Sequence, residues 1–262
     1  MSLDSIVDKL LENTKTDIND QMQTEIHPDL RFRRNTVNLV IGKKGSGKTD
    51  SVFREALKVS LIPESQYTLM LYVCDNQNDD TYLRYKDLIQ IPVECITYEE
   101  ADARIGELTD AKALYHEAKR TNTELEPDEK EELMKILHTD DLETTVQHTL
   151  VLLDDCVDIF KNKKSGLYKR LFRTRQPKIT YFLCLQDVHQ ISTAIKANVD
   201  SLWFFGEFPW SKFLWMTNQF PLDCDKHQLW QKYQQLNRHN YIFIDYKLEG
   251  TEIQFCVNNW RK

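Results

Sequence analysis

Eight residues, Gly42-Lys43-Lys44-Gly45-Ser46-Gly47-Lys48-Thr49, constrain this chain more than any other segment. They fit G-x-x-x-x-G-K-[ST], a loop whose backbone N–H groups turn inward around phosphate oxygens beside the positive end of a helix. The chain holds seven glycines in 262 residues, and three of them stand in this loop. Glycine is scarce elsewhere, so a chance surface turn rich in Lys and Gly is a poor explanation. Lys48 brings charge to the β- and γ-phosphates, and the Thr49 hydroxyl suits Mg²⁺. Gly42, Gly45, Ser46, Gly47, Lys48, Thr49 and Asp50 are therefore the expected residues of a site for ATP and Mg²⁺. Asn162-Lys163 lacks the Asp two positions on that guanine recognition uses, so nothing points to GTP.

The flanks match the motif. Residues 36–42 read as a buried strand and 48–59 as a helix. Further strands are expected at 67–75, 94–98, 148–156, 179–186 and 201–207, with helical segments between them. Helices rich in Glu and Lys are expected at 99–120 and 127–138, the second opened by Pro127-Asp128. This alternation predicts an α/β fold with a mainly parallel central sheet and helices on both faces. Residues 241–257 read as two strands turning at Glu249-Gly250, a C-terminal antiparallel hairpin at the sheet edge. Residues 1–34 are expected to be a helix and linker. Leu3, Ile6, Val7, Leu10 and Leu11 give that helix an apolar face, free to dock on a partner or to pack back on its own domain. Residues 35–262 then form the P-loop domain, with an acidic helical insert at 99–143.

The segment 149–155, TLVLLDD, is an apolar strand running into two acids. Taken alone, such a pair is ordinarily a helix N-cap. Downstream of a phosphate loop, it is where a metal-binding carboxylate belongs. Asp154 is assigned to the metal together with Thr49, and Asp155 to polarising the attacking water. Gln186 ends the strand ITYFLCL, where an amide can bond both a water and a γ-phosphate oxygen. Arg173 and Arg175 lie just ahead of that strand and are candidates for an arginine finger reaching the γ-phosphate of an adjoining subunit. The expected catalytic set is Lys48, Asp155, Gln186, Arg175 and Arg173.

A net charge of −7 argues against a histone-like or tail-type nucleic-acid binder, but the charge is unevenly spread. Residues 99–143 carry 15 acids and six bases, whereas 161–178 carry eight bases and no acid. A second basic cluster runs through Arg31, Arg33, Arg34, Lys43, Lys44 and Lys48. Lys161, Lys163, Lys164, Lys169 and Arg170 either face DNA phosphates or form a solvated helix face. Six scattered cysteines form no C-x-x-C pair, and Cys224, His227 and His239 lack the spacing of a zinc site. No apolar run is long enough to span a bilayer, and the opening residues do not read as a signal peptide. A soluble chain made in a reducing compartment is expected. All five tryptophans lie beyond residue 200, suited to packing the C-terminal half or to a subunit interface.

The order of GKKGSGKT (42–49), LVLLDD (150–155) and RTRQPKITYFLCLQ (173–186), followed by ISTAIKANVD (191–200), resembles the FtsK–HerA superfamily of P-loop ATPases, which are RecA-like in fold. Within it, the chain looks like the genome-packaging ATPases of poxviruses, other large DNA viruses and virophages. The resemblance spans residues 35–207; Thr174-Arg175-Gln176 stands where many members have Gly-Arg-His, and Lys196 where an Arg is usual. It implies an ATP-driven motor built as a homo-oligomeric ring, a hexamer or pentamer. ATP would lie at subunit interfaces, with double-stranded DNA held in the pore without sequence readout. It implies capsid proteins as partners, no membrane, and a place in the host-cell cytoplasm at viral factories or with the virion. The acidic insert is then expected on the outside of the ring. Two other readings stand beside this one: a P-loop nucleoside or nucleotide kinase, and a nucleotide-gated capsid-assembly protein.

Overall fold

The computed structural model describes residues 30–62, 66–142, 147–156, 164–189, 191–220, 222, 225–246 and, for the backbone, 252–256. The expected helix at 3–11 and the hairpin turn at Glu249-Gly250 lie outside these described residues. The elements run β1 (Val37–Ile41), α1 (Lys48–Ser60), β2 (Tyr67–Val73), α2 (Asp80–Tyr85), β3 (Val93–Ile96), α3 (Tyr98–Thr121), α4 (Pro127–Leu137) and β4 (His148–Asp154). They continue with α5 (Gly166–Arg170), β5 (Ile179–Leu185), α6 (Thr193–Ala197), β6 (Ser201–Phe205), α7 (Trp210–Thr217), α8 (Lys226–Tyr233), β7 (Tyr241–Asp245) and β8 (Glu252–Cys256).

The strands form one sheet in the order β3-β2-β4-β5-β1-β6-β7-β8. Strands β1 to β6 are parallel, and β7 and β8 add antiparallel to the β6 edge, as the α/β expectation requires. The central strands read as unbroken apolar runs because both faces are covered. Val37, Leu39, Ile41, Val151, Leu153 and Leu183 face the layer built by α3 to α8. Val40, Leu150, Leu152, Phe182 and Trp203 face α1 and α2, along with Leu30 and Phe32.

Strand β1 is fixed between β5 and β6 by one fully buried amide. Asn38 Nδ2 donates to Thr36 Oγ1 and to the Tyr181 carbonyl, each at 3.1 Å, and its Oδ1 accepts from Ser201 Oγ at 2.7 Å. A slip of one residue would leave this amide unsatisfied in the core, so it specifies register as well as position.

Two segments outside the strands are packed against the sheet. Leu30–Arg34, placed by sequence in the linker, pack onto the body. Leu30 and Phe32 are buried, the Arg31 N–H donates to Glu55 Oε2 at 2.8 Å, and Arg33 pairs with Asp245 at 2.8 Å. The acidic segment packs on the body as well. Ala101, Ile105, Leu108 and Ala111 put one stripe of α3 into the core over the sheet, and the acids take the remaining surface. Among the described residues, no helix is long and apolar enough to cross a membrane.

Helix α3 also buries a lysine that, among the described residues, has no carboxylate partner. Lys112 is 1% exposed, and its Nζ donates to Thr149 Oγ1 at 2.8 Å and to the Lys178 carbonyl at 3.4 Å. Burial, with the Lys178 charge adding to it, pushes its ammonium down to about 7. The unfolded chain therefore gains a proton near pH 10.5 that the folded chain refuses until near pH 7, and stability falls as pH drops through that window. Lys112→Met should stabilise the protein at pH 7 by on the order of 2 kcal/mol, with the gain shrinking as pH approaches 10. Urea unfolding at the two pH values measures it.

Candidate active site

The loop from Gly42 to Gly47 joins β1 to α1 and needs two left-handed residues, Gly45 (φ +73°) and Gly47 (φ +90°). Its start is tied to the end of β5 by the Gly42 N–H, which donates to the Leu185 carbonyl at 3.1 Å. Lys48 is buried and arcs back over the loop. Its Nζ donates to the carbonyls of Gly42 at 2.9 Å and Lys43 at 3.2 Å, which places the ammonium over the loop's concavity. Ser46 Oγ is buried with no hydrogen-bond partner among the described residues, and a Cβ on Gly42 would meet it at 2.4 Å. Left-handed turns at Gly45 and Gly47 with the Lys48 ammonium over the loop fit a phosphate group.

Strand β4 delivers the acids. Side chains alternate along it, and Leu150 and Leu152 face the α1 layer, so Asp154 faces α1 as well. There Thr49 Oγ1, in the first turn of α1, donates to Asp154 Oδ2 at 2.8 Å across 105 residues of sequence. Asp155 follows with φ +56°, a left-handed geometry that Asp tolerates better than most residues. The chain therefore turns sharply between the two acids and sends their carboxylates to different partners. Asp155 Oδ2 accepts from Gln186 Nε2 at 2.6 Å, while the Asp155 N–H donates to the Cys184 carbonyl at 2.9 Å.

Asp154 is enclosed by two tyrosines that sequence reading missed. Tyr72 Oη donates to its Oδ2 at 3.2 Å, and Tyr98 Oη donates to its backbone carbonyl. Burial holds both phenols well above their ordinary value, so they stay neutral donors. Burial also pushes the Asp154 carboxyl up, with the Thr49 hydroxyl and the Lys48 charge pulling the other way. The hard oxygen donors of Thr49 and Asp154 are the chemistry Mg²⁺ takes.

Other expected residues lie elsewhere. The Asp50 side chain is turned into the fold, where Oδ2 accepts from Arg54 Nε at 2.8 Å and Oδ1 from Arg84 Nη1 and Tyr85 Oη, each at 3.1 Å. It anchors α2 against α1, which leaves its backbone N–H as its means of touching a phosphate. Arg173 and Arg175 are exposed at the start of β5, lining an open cleft of about 400 Å³ with Asn198 and Asp200. The seven residues of β5 separate them from the phosphate loop of the same chain. Arg170 of the same basic run is paired with Asp102 of α3. Arg31, Arg33 and Arg34 precede β1 while Lys43, Lys44 and Lys48 follow it, so that basic cluster is two patches at opposite sheet edges. Arg238 and His239, which no motif flagged, lie against the phosphate loop from the segment entering β7.

No family model and no curated protein sequence matches the chain. Solved structures are similar in fold. The DNA-packaging ATPase B204 from Sulfolobus Turreted Icosahedral Virus aligns with TM-score 0.54 and 13% identity, over 86% of this chain and 98% of that one. The genome packaging NTPase B204 from Sulfolobus turreted icosahedral virus 2, in complex with ATP-gammaS, aligns at 0.51 and 14% identity, over 86% and 98%. EssC (ATPases 2 and 3) from Geobacillus thermodenitrificans aligns at 0.54 and 13% identity, over 85% of this chain and 40% of that one. At such identities the likeness is one of fold, and it agrees with the mainly parallel α/β architecture expected from the sequence.

The place of Asp50 gives a test. Asp50→Ala should cost about 2 kcal/mol in urea unfolding by freeing Arg84 and Tyr85, and should leave ADP affinity in a titration within about threefold.

Proposed function

We propose that the chain is an ATP-hydrolysing motor that, as a homo-oligomeric ring, drives double-stranded viral DNA into a preformed capsid. The observation that carries this reading is the meeting of Lys48, Thr49, Asp154, Asp155 and Gln186 at one end of the sheet. The likeness in fold to a DNA-packaging ATPase over 98% of that chain supports packaging as the task.

Loop amides and Lys48 orient the triphosphate. Mg²⁺, held by Thr49 Oγ1 and Asp154, would neutralise charge on the β- and γ-phosphate oxygens. Asp155 accepts a hydrogen bond from the attacking water and polarises it toward the γ-phosphorus. Gln186 holds Asp155 through its amide, and that amide can also donate toward a γ-phosphate oxygen, so the pair can report whether the bond is intact. Asp187, next in sequence, is ion-paired with Lys212 of α7, which gives any movement of Gln186 a path into the C-terminal half.

Arg173 and Arg175 cannot serve the site of their own chain from the far edge of the sheet. Their role in this reading is in trans, as the finger for a neighbouring subunit's γ-phosphate. Exposed Lys164 and Lys169 are the candidates to meet the DNA backbone, and either residues 3–11 or the tryptophan-rich C-terminal region would engage capsid protein. The ring would work in the host-cell cytoplasm at viral factories or on the virion.

Double-stranded DNA should raise the ATPase rate several-fold on material of known oligomeric state. Lys48→Ala should abolish hydrolysis, and Asp155→Asn should lower kcat by about a hundredfold or more while ATP still binds. Hydrolysis indifferent to DNA at every ionic strength and assembly state, or phosphate passing to a nucleoside acceptor, would overturn the motor reading.

A further inference from the structure

Several carbonyls of the phosphate loop accept hydrogen bonds from protein donors, and each such bond fixes the orientation of its peptide. Most donors in this loop are local. Lys48 Nζ serves the Gly42 and Lys43 carbonyls, the Ser46 N–H also serves Lys43 at 3.1 Å, and the Ser51 N–H serves Gly47 at 2.9 Å. Two are not. The Lys44 carbonyl accepts from Arg238 Nη2, 194 residues on, and the Ser46 carbonyl accepts from His239 Nδ1 at 3.2 Å.

The segment that carries these donors is held independently of the loop. The Gly206 N–H at the end of β6 donates to the Asn240 carbonyl at 3.0 Å, and the Asn240 N–H to the Asn237 carbonyl at 3.1 Å. The approach is so close that a Cβ on Gly206 would stand 2.5 Å from the Asn237 carbonyl oxygen. Arg238 Nε also lies 3.9 Å from Glu207. The guanidinium thus starts from a fixed base, and its Nη2 lies 3.0 Å from where a Gly45 Cβ would be.

We infer that Arg238 and His239 are positioning residues, which hold the Lys44 and Ser46 carbonyls outward so that the loop amides converge before a phosphate arrives. The inference rests on the nucleotide-binding reading above. Gly45 accepts either sign of φ, so without its donor the Lys44–Gly45 peptide is free to flip. A flipped carbonyl would face the phosphate anions and exchange attraction for repulsion. A site competent for only part of the time binds more weakly by that fraction.

The test combines two measurements on wild type, Arg238→Ala, Arg238→Lys and His239→Ala. The first is amide hydrogen exchange over residues 42–49 in nucleotide-free protein; the second is titration with ADP. Arg238→Ala should speed loop exchange and weaken ADP binding by about tenfold, leaving β1, β4 and β5 protected as in wild type. His239→Ala should act in the same direction, and Arg238→Lys, which keeps a donor and the charge, should recover most of the loss. In turnover, KM for ATP should rise while kcat changes little. Loop exchange unchanged in Arg238→Ala, or faster exchange with unaltered ADP affinity, would overturn the inference. A wild-type protein that binds no ADP would sink the nucleotide reading instead, and the exchange arm would still decide whether these side chains order the loop.

Discussion

The Thr49 hydroxyl and the Asp154 carboxylate are 105 residues apart in sequence and one hydrogen bond apart in space. That contact depends on the whole sheet. Parallel strands bring the C-terminal ends of β1, β4 and β5 to one edge, and the order β4-β5-β1 seats Gln186 between the acids and the phosphate loop. It depends on register too, because a one-residue slip of β4 would turn Asp154 away from α1 and toward the opposite layer. Asn38 guards the register of β1 with three hydrogen bonds at zero exposure, deep in the core where no ligand reaches.

Around this contact, the chain separates roles that sequence presents side by side. Asp154 and Asp155 are adjacent, yet the left-handed turn at Asp155 directs one carboxylate to Thr49 and the other to Gln186. Thr49 and Asp50 are adjacent as well, but successive helix residues point in different directions. One reaches the acid of β4, and the other is buried among Arg54, Arg84 and Tyr85. The loop's shape has contributions from both ends of the chain: Lys48 from within and Arg238 and His239 from outside.

Legibility in the sequence followed the range of the forces involved. The turn from β1 into α1 was readable because its signal is local: glycines, a lysine and a hydroxyl at fixed spacing. The core strands were readable because burial on both faces leaves unbroken apolar runs. The placement of Asp154, Asp155 and Gln186 at the ends of β4 and β5 was readable because each closes such a run. The structural bonds of the Asp50 side chain were not readable, because its partners Arg84 and Tyr85 sit on a six-residue helix with no pattern of its own. Arg238 and His239 were invisible for a related reason, since a polar loop acquires meaning only from what lies opposite it. Charge counting erred where the chain crosses the sheet: Arg33 and Lys43 are ten positions apart, but strand β1 sets them at opposite edges.

The most direct test of the central claim is a double-mutant cycle in the Mg²⁺ dependence of ATPγS affinity. Wild type, Thr49→Val, Asp154→Asn and the double variant would each be titrated with and without the metal. If the two side chains form one metal site, either substitution removes most of the Mg²⁺-dependent affinity and the double variant loses little more than the worse single. Losses that simply add, or a wild-type affinity indifferent to Mg²⁺, would contradict the account.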